Sequence, residues 1–234
     1  VSADGRTLLF RSQRQLTAYD NQGEPKLYLY RFGEAGLLCV SCNPTGGAPS
    51  GPALLGSLKA PFAFAVRPAY LLSRNLSADG SRVFFETRDA LVAADTNGDE
   101  SCLPAGSGNQ EFPACQDVYE WEADGSGSCH SEAQDGGCLY LLSTGKSADP
   151  SFFIDASASG DDAFVMTTSQ LVRQDQDGVV DIYDARVGGG IAAQNEVPPV
   201  PCEGEACKGG ATPPVQLHSP GSESFIAPGN PKPH

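Results

Sequence analysis

The feature that most constrains this chain is an internal repeat that aligns without a gap. Residues 2–23, 77–98 and 157–178 read SADGRTLLFRSQRQLTAYDNQG, SADGSRVFFETRDALVAADTNG and SASGDDAFVMTTSQLVRQDQDG. The copies share Ser, Ala and Gly at the start, a leucine and an aspartate inside, and a closing glycine. A unit of this size cannot bury its apolar face alone, so the repeat predicts similar units stacked one on the next.

A second block follows each copy of the repeat and contains an aliphatic residue beside a tyrosine. It reads KLYLY at 26–30, DVYEW at 117–121 and DIYDA at 181–185. In the second copy the block is displaced by sixteen extra residues, which contain Cys102 and Cys115. A further excursion there, residues 122–138, contains Cys129 and Cys138. Insertions between preserved strands are what a repeat scaffold tolerates best.

Each copy predicts four short strands joined by turns. The first is an apolar run, the second is short, the third is the aliphatic–tyrosine block, and the fourth is 37–41 or 139–143. The second strand, 90–94 in the second copy, fits a helical turn equally well. Neighbouring strand residues point to opposite faces, so the aliphatic and the tyrosine predict a third strand that is buried on both faces.

Composition and charge exclude two classes of partner. The net charge is −14 with a pI of about 4.4, and such a surface repels nucleic acid, whose recognition needs clustered Lys and Arg. No run of 18 apolar residues is present, so the sequence predicts no membrane span. Residues 197–234 are rich in Pro and Gly and are expected to form a tail or linker.

Eight cysteines, an even number, favour disulfides in an oxidising compartment. Counting alone leaves the connectivity open, and local pairing in chain order is the prediction favoured by the spacing. It joins Cys39 to Cys42, Cys102 to Cys115, Cys129 to Cys138 and Cys202 to Cys207. Zinc is the weaker alternative, because only one CxxC occurs and the three histidines are distant from it in sequence.

The Ser-Ala-Asp-Gly turn before a strand, with a later Asp-x-x-Gly and an aliphatic–Tyr strand, resembles the PD40 (WD40-like) repeats of TolB-like β-propellers. The fuller phrase is similar to a variant common in secreted actinobacterial proteins, and the resemblance covers roughly residues 1–193. It implies an all-β partial propeller of about three four-stranded blades in 1–196, with repeats starting near 2, 77 and 157. Since Val1 begins within a repeat, the expectation is an open arc cut from a longer protein.

The sharpest candidate for ligand chemistry is calcium. Asp175, Asp177 and Asp181 surround a glycine turn, and Asp95, Asn97 and Asp99 form a similar oxygen-rich loop. Ca²⁺ takes six to eight oxygen ligands, which a tight loop of this kind can aim inward. Turn chemistry alone predicts the same residues, because Asp, Asn and Gly stabilise hairpin turns. The sequence therefore leaves the calcium site open.

A catalytic constellation is not predicted. His130, His218 and His234 lie in an excursion or in the tail, where no rigid scaffold would hold a general base. Glu86, Glu120 and Glu122 are candidate acids for glycoside cleavage, but a solvated face explains them better. Asp4 and Asp79 are expected to cap backbone amides in turns.

The function expected from these features is a non-catalytic extracytoplasmic binding or scaffold module. It would present the disulfide-tied loops of the second copy to a protein or glycan partner. One alternative is a propeller domain associated with a hydrolase or peptidase whose catalytic part lies elsewhere. The other is a calcium-stabilised structural or adhesion module.

Overall fold

The computed structural model describes residues 1–56, 73–97, 102, 114–130, 136–192 and 194. The chain divides into a compact unit, 1–196, and a second unit, 197–234, which lies outside the described residues. Within the described ranges the fold is all-β, as the repeat predicted, with nine strands and no helix. The strands form three small antiparallel sheets, one for each copy of the repeat.

The three sheets follow one another along the chain. The first sheet contains β1 Thr7–Ser12, β2 Lys26–Arg31 and β3 Leu38–Cys39. The second contains β4 Arg82–Thr87, β5 Asp117–Ala123 and β6 Gly137–Leu141. The third contains β7 Phe152–Ala156, β8 Asp162–Thr167 and β9 Asp181–Arg186. In every sheet the spatial order equals the chain order.

The prediction of a short second strand is wrong for the second copy. Residues 90–94 form turns and bends in place of a strand. The Leu91 N–H donates to the Tyr119 hydroxyl at 3.2 Å, and the Asp95 N–H donates to the Val92 carbonyl at 3.1 Å. The backbone groups of this apolar run are thus satisfied by a side chain and a turn, which periodicity does not reveal.

A strand that the repeat alignment missed lies just before the third copy. β7 pairs with β8, Ala156 opposite Ala163, with an irregularity between Phe153 and Asp155. The second sheet has an isolated bridge, Leu76 to Val83, at the equivalent position eighty residues earlier. Within the part of the chain that the structure describes, each sheet has three strands and not the predicted four. The second and third sheets share this additional pairing position.

Consecutive sheets are joined through the alanine of the Ser-Ala-x-Gly turn. The Ala3 N–H donates to the Ala78 carbonyl at 2.8 Å, and the Ala78 N–H donates to the Ala158 carbonyl at 2.8 Å. These alanines occupy the same position of the repeat. The same backbone hydrogen bond therefore joins the first repeat to the second and the second repeat to the third.

At the glycine of this turn, neighbouring repeats pack too closely to leave room for a Cβ. A Cβ on Gly80 would lie 2.5 Å from the Thr7 Oγ1 of the preceding repeat, and one on Gly160 would lie 2.8 Å from the Arg82 Cδ. Thr7 and Arg82 are also equivalent positions. Gly5, at the same point of the first repeat, has no atom within 4 Å of such a Cβ. Glycine is thus required wherever a preceding repeat packs against the turn.

The apolar core lies between the sheets. One cluster joins the first sheet to the second through Leu27, Leu29, Val83, Phe85 and Tyr119. A second cluster joins the second sheet to the third and includes the stacked pair Phe84 and Phe153, whose ring centroids are 5.3 Å apart. Because β5 contributes Tyr119 to one cluster and Val118 to the other, this strand is buried on both faces, as predicted.

Candidate functional site

The acidic turns of the three repeats have three equivalent positions in sequence. The first position is Asp20, Asp95 or Asp175, and the second is Gln22, Asn97 or Asp177. The third is the opening residue of the following strand, Lys26, Asp117 or Asp181. The turns therefore differ in charge at equivalent positions of the repeat.

The third turn gathers the predicted carboxylates. One oxygen from each of Asp175, Asp177 and Asp181 lies within 4.8 Å of the other two. Asp175 accepts a hydrogen bond from the Tyr183 hydroxyl. Burial, and after it this hydrogen bond, raises the pKa of Tyr183 to about 12. The Asp177 N–H donates to the Asp175 Oδ1 at 3.2 Å, which is an Asx-type turn contact. The cluster has the ligand type that Ca²⁺ prefers, together with the hydrogen bonding of an ordinary turn.

The second turn is buried, and protein donors surround its carboxylates. Asp117 accepts from the Asn97 Nδ2 at 2.7 Å, from the Gly145 N–H at 3.1 Å and from the Ser143 hydroxyl. Asp95 accepts from the Tyr119 hydroxyl. Asp99, the remaining predicted ligand of this loop, lies outside the described residues. The contacts at Asp117 are those of a structural carboxylate held by three donors.

Burial dominates the electrostatics of the second turn. It raises the pKa of Asp95 to about 6; the Tyr119 hydrogen bond opposes this rise, and the charge of Asp117 adds to it. Burial also raises the pKa of Asp117, against the hydrogen bonds from Ser143 and Asn97. Two neighbouring buried carboxyl groups resist simultaneous ionisation. The site consequently holds a negative charge less readily than its composition suggests.

In the first turn the third position is a lysine, and this lysine is fully buried. Lys26 forms an ion pair with Asp89 of the second repeat and donates to the Gly51 carbonyl at 2.9 Å. Asp89 also accepts from the backbone N–H groups of Ser50 and Gly51 at 2.6 and 3.1 Å. The position that carries a carboxylate in the other turns thus supports a contact between repeats.

Sequence reasoning missed Asp117 and Lys26 as members of these turns. The gapless repeat ends at the glycine, whereas the third position follows it by three residues in two copies and by nineteen in the other. Aligning the second block as strictly as the first would have identified Asp117. The alignment could not have identified Asp89 as the partner of Lys26, because the equivalent residues in the other repeats are Arg14 and Ser169 and not acids.

A cleft lies beside the predicted binding loops, between the first and second sheets. It has a volume of about 350 Å³, and both the Cys39–Cys42 turn and the Cys129–Cys138 loop contribute to its lining. Its rim includes the exposed His130 and the half-buried Tyr140, with Leu91 and Val92 in its wall. Trp121 also lines it but is only 2% exposed, so its ring serves the core and not a stacking platform. The cleft combines apolar and polar groups, as small-ligand sites do.

Three disulfides fix the loops around these features. The structure joins Cys39 to Cys42, Cys102 to Cys115 and Cys129 to Cys138, which is the local pairing that chain order predicts. Cys202 and Cys207 lie outside the described residues, as do most of the insertion at 99–116 and residues 131–135. Three disulfides indicate an oxidising, extracytoplasmic environment.

The candidate catalytic acids are occupied in structural contacts. Glu86 is fully buried and accepts from the Phe153 N–H at 2.7 Å, so it joins the second sheet to the third. Glu120 and Glu122 lie 3.6 and 3.1 Å from the guanidinium of Arg82. A solvated face was the expectation for all three, and their burial overturns it. His218 and His234 lie outside the described residues.

The turn aspartates behave as predicted. The Arg6 N–H donates to the Asp4 Oδ1 and the Ser81 N–H donates to the Asp79 Oδ1, each at 3.0 Å. The hydrogen bond from the Ser2 hydroxyl is the main cause that lowers the pKa of Asp4. These residues hold the turns that carry the alanine contacts between repeats.

The chain was compared with protein-family models, curated proteins and solved structures. No family model, curated protein or solved structure matches this chain. Among the described residues, no helix has the length and apolar character needed to cross a membrane.

Proposed function

We propose that residues 1–196 are successive blades of a β-propeller. The observation that carries the proposal is the pair of equivalent backbone bonds, Ala3 to Ala78 and Ala78 to Ala158. A contact that recurs between the same positions of neighbouring units generates a ring or a helix of units. The apolar clusters on both sides of β5 support face-to-face packing of sheets, as in a propeller.

The outer faces of the end sheets support the same arrangement. Ile182 is 64% exposed, whereas Leu27 and Val118, its equivalents, are fully buried against the next repeat. Leu8 is 41% exposed, whereas Val83, its equivalent, is fully buried against the preceding repeat. Each exposed side chain belongs to a face that elsewhere in the chain packs against a neighbour. A further unit of the same repeat at each end would cover both faces.

The function that we propose for this scaffold is extracytoplasmic binding without catalysis, with a protein or a glycan as the partner. Its contact surface would be the disulfide-tied loops of the second repeat and the adjoining cleft. Loops held on a rigid sheet scaffold are the usual location of binding residues. Disulfides at the base of such loops reduce the entropy lost on binding.

The test compares the secreted chain with a loop-deleted variant on a glycan array and in cross-linking to extracytoplasmic proteins. The variant lacks residues 103–113 and 131–135 and keeps all eight cysteines. We expect it to lose binding, whereas Tyr30→Ala, which alters an exposed tyrosine on β2 outside the cleft, should bind as the parent does. Retained binding without the loops would overturn the proposal, as would turnover of any bound glycan or peptide.

A second candidate role is calcium stabilisation, and the carboxylate cluster at Asp175, Asp177 and Asp181 favours it. Calorimetric titration with calcium chloride should give binding heat in the parent chain and none in the Asp175→Asn, Asp177→Asn variant. Asp124→Asn, which alters an exposed acid outside this turn, is the matched control. Absence of heat in the parent would leave hairpin-turn chemistry as the role of these residues.

A further inference from the structure

The outer faces of the first and third repeats are exposed at positions that elsewhere are buried between repeats. Thr7 and Arg82 each lie against the glycine turn of the following repeat, and both are buried. Their equivalent in the third repeat is Asp162, whose side chain is 30% exposed. On the first repeat, Gly5 is exposed, whereas the equivalent Gly80 is buried under the preceding repeat. Each end therefore presents one half of the contact that joins neighbouring repeats.

The backbone hydrogen bond that joins neighbouring repeats has the same two halves. The Ala3 N–H donates to the Ala78 carbonyl, and the Ala78 N–H donates to the Ala158 carbonyl, so each bond runs from one repeat to the next. Within the described ranges, no acceptor contacts the Ala158 N–H and no donor contacts the Ala3 carbonyl. Both alanines are exposed, whereas Ala78 is half-buried. A third repeat that met a first repeat could form this bond once more.

The charges at the first junction predict how such a meeting would be matched. Lys26, which opens β2, forms a buried ion pair with Asp89 of the second repeat. The residue of the third repeat equivalent to Lys26 is Asp181. The residue of the first repeat equivalent to Asp89 is Arg14. A third repeat facing a first repeat would therefore again place an acid opposite a base, with the two signs exchanged.

The charges at the second junction show the same exchange at a different position. The Arg82 guanidinium lies 3.4 Å from the carboxylate of Asp161 in the third repeat. The residue of the third repeat equivalent to Arg82 is Asp162. The residue of the first repeat equivalent to Asp161 is Arg6. Two separate positions thus change sign on both sides of the contact at once.

A neighbouring residue of the same sheet changes sign together with this pair. Arg82 lies opposite Glu122 in the sheet and 3.1 Å from its carboxylate. Asp162 lies opposite Arg186 in the equivalent register and 2.6 Å from its guanidinium. The whole group around Arg82 is therefore inverted in the third repeat, and Arg6 has the sign that completes the inverted group.

The net charges of the two end repeats favour the same contact. Residues 1–31 contain five basic and three acidic residues, whereas residues 157–186 contain two basic and six acidic residues. With a net charge of −14, two copies of the chain repel each other over most of their surfaces. Complementary charge selects the orientation in which the basic first repeat of one copy meets the acidic third repeat of the other.

We propose that the outer face of the third repeat binds the outer face of the first repeat in a second copy of this chain. Asp181 and Asp162 of one copy contact Arg14 and Arg6 of the other, and the apolar side chains exposed on the two end faces become buried. Different surfaces of the two copies meet, so copies joined in this way form a ring or a filament. The inference rests on the proposal that the repeats are blades, and it names the partner of the two end faces.

Sedimentation equilibrium of the full chain in a buffer with EDTA tests the proposal. The parent chain should associate into species of two or more copies. Arg14→Asp and Asp181→Lys should each weaken the association at least about tenfold, because each places like charges opposite one another. The double variant should recover most of the affinity, because it recreates the order of charges that Lys26 and Asp89 have in the first junction.

The control variants are Lys146→Asp and Asp124→Lys, which make the same changes in net charge at exposed positions of the second repeat. Both should associate as the parent chain does. A parent chain that stays monomeric up to about 1 mM would overturn the proposal. Association that Arg14→Asp leaves intact, or that the double variant does not recover, would also overturn it.

Failure of the blade arrangement itself would be visible in a different measurement. It would show as additive costs of Lys26→Met and Asp89→Asn in the unfolding of a single chain, because that pair joins repeats within one copy. A monomeric parent chain in which these two costs are coupled would contradict the contact between copies alone.

Discussion

Glu120 shows how one buried carboxyl group couples this fold to pH. It lies beside Glu122 and 3.6 Å from the Arg82 guanidinium, and its side chain is 12% exposed. Burial raises the pKa of Glu120 to about 7; the charge of Glu122 adds to this rise and Arg82 opposes it. The folded state therefore binds a proton at this site more tightly than the unfolded chain does.

The sign of the resulting pH dependence follows from linkage. Below the ordinary pKa of 4.5, Glu120 is protonated in both states and carries no penalty for charge burial. Above about 7 it is ionised in both states, and the folded state bears the full penalty. As the pH rises between these values, the free energy of unfolding of the parent chain should fall by an amount on the order of 3 kcal/mol because of Glu120. We expect Glu120→Gln to remove this fall. Urea unfolding at pH 4.5 and pH 8 measures it.

The control for this prediction is Glu34→Gln, since Glu34 has a side chain that is 61% exposed. That variant should keep the pH dependence of the parent chain. If Glu120→Gln also keeps it, the Arg82 guanidinium offsets the burial of Glu120 and stabilises its charged form in the folded state.

The buried pair of Lys26 and Asp89 links the first repeat to the second. Removing one partner leaves a buried charge without compensation, so Lys26→Met or Asp89→Asn should each destabilise the fold by about 3–5 kcal/mol. The double variant should cost clearly less than the sum of the two. Chemical denaturation of the four chains gives the coupling energy, and additive costs would show that the pair does not act as a unit.

The residues of the turns were more predictable than their partners. Asp175, Asp177 and Asp181 come together because a short turn encodes their proximity in sequence spacing alone. The contact of Lys26 with Asp89 depends on how two repeats pack, and neither residue belongs to a shared pattern. The proximity of residues within one turn could therefore be predicted from the sequence, whereas contacts between repeats could be identified only from the structure.

At the scale of strands, the loops of the second repeat depend on their disulfides. The Cys129–Cys138 bond closes a loop with a sequence separation of 9. Replacing both cysteines by serine should lower the free energy of unfolding by about 3 kcal/mol, because the unfolded chain regains the entropy of that loop. Thermal unfolding under non-reducing conditions measures the change. A variant as stable as the parent would show that this disulfide does not lower the entropy of the unfolded chain enough to stabilise the fold.

Strand prediction succeeded for the first apolar run and for the aliphatic–tyrosine block of each copy, and it failed for the run 90–94 and just before the third copy. β1, β4 and β8 contain the predicted first strands, and β2, β5 and β9 contain the aliphatic–tyrosine blocks. β7 precedes the aligned copy, so alignment gave no reason to count Phe152–Ala156 as part of the third unit. The run 90–94 is apolar because Leu91 packs in the core from a turn, and periodicity does not distinguish this from a strand.

At the scale of the whole molecule, the glycine turns offer a matched test of repeat packing. Gly5 and Gly80 both have positive φ, +73° and +76°, so an alanine is strained to a similar degree at either position. Only the Gly80 Cβ would meet the preceding repeat, at Thr7. We expect Gly80→Ala to cost about 1–3 kcal/mol more than Gly5→Ala. Equal costs in denaturant unfolding would show that the repeats separate easily.

The alanine bonds between repeats determine how stability grows with the number of units. In a row of units with nearest-neighbour coupling, the number of interfaces is one fewer than the number of units, and the end units fray first. The three sheets here share two apolar clusters. When such a row closes on itself, the last unit gains a second neighbour without any additional residues. Closure therefore adds a whole interface at the cost of joining the ends, and it turns a series of partial openings into a single cooperative transition.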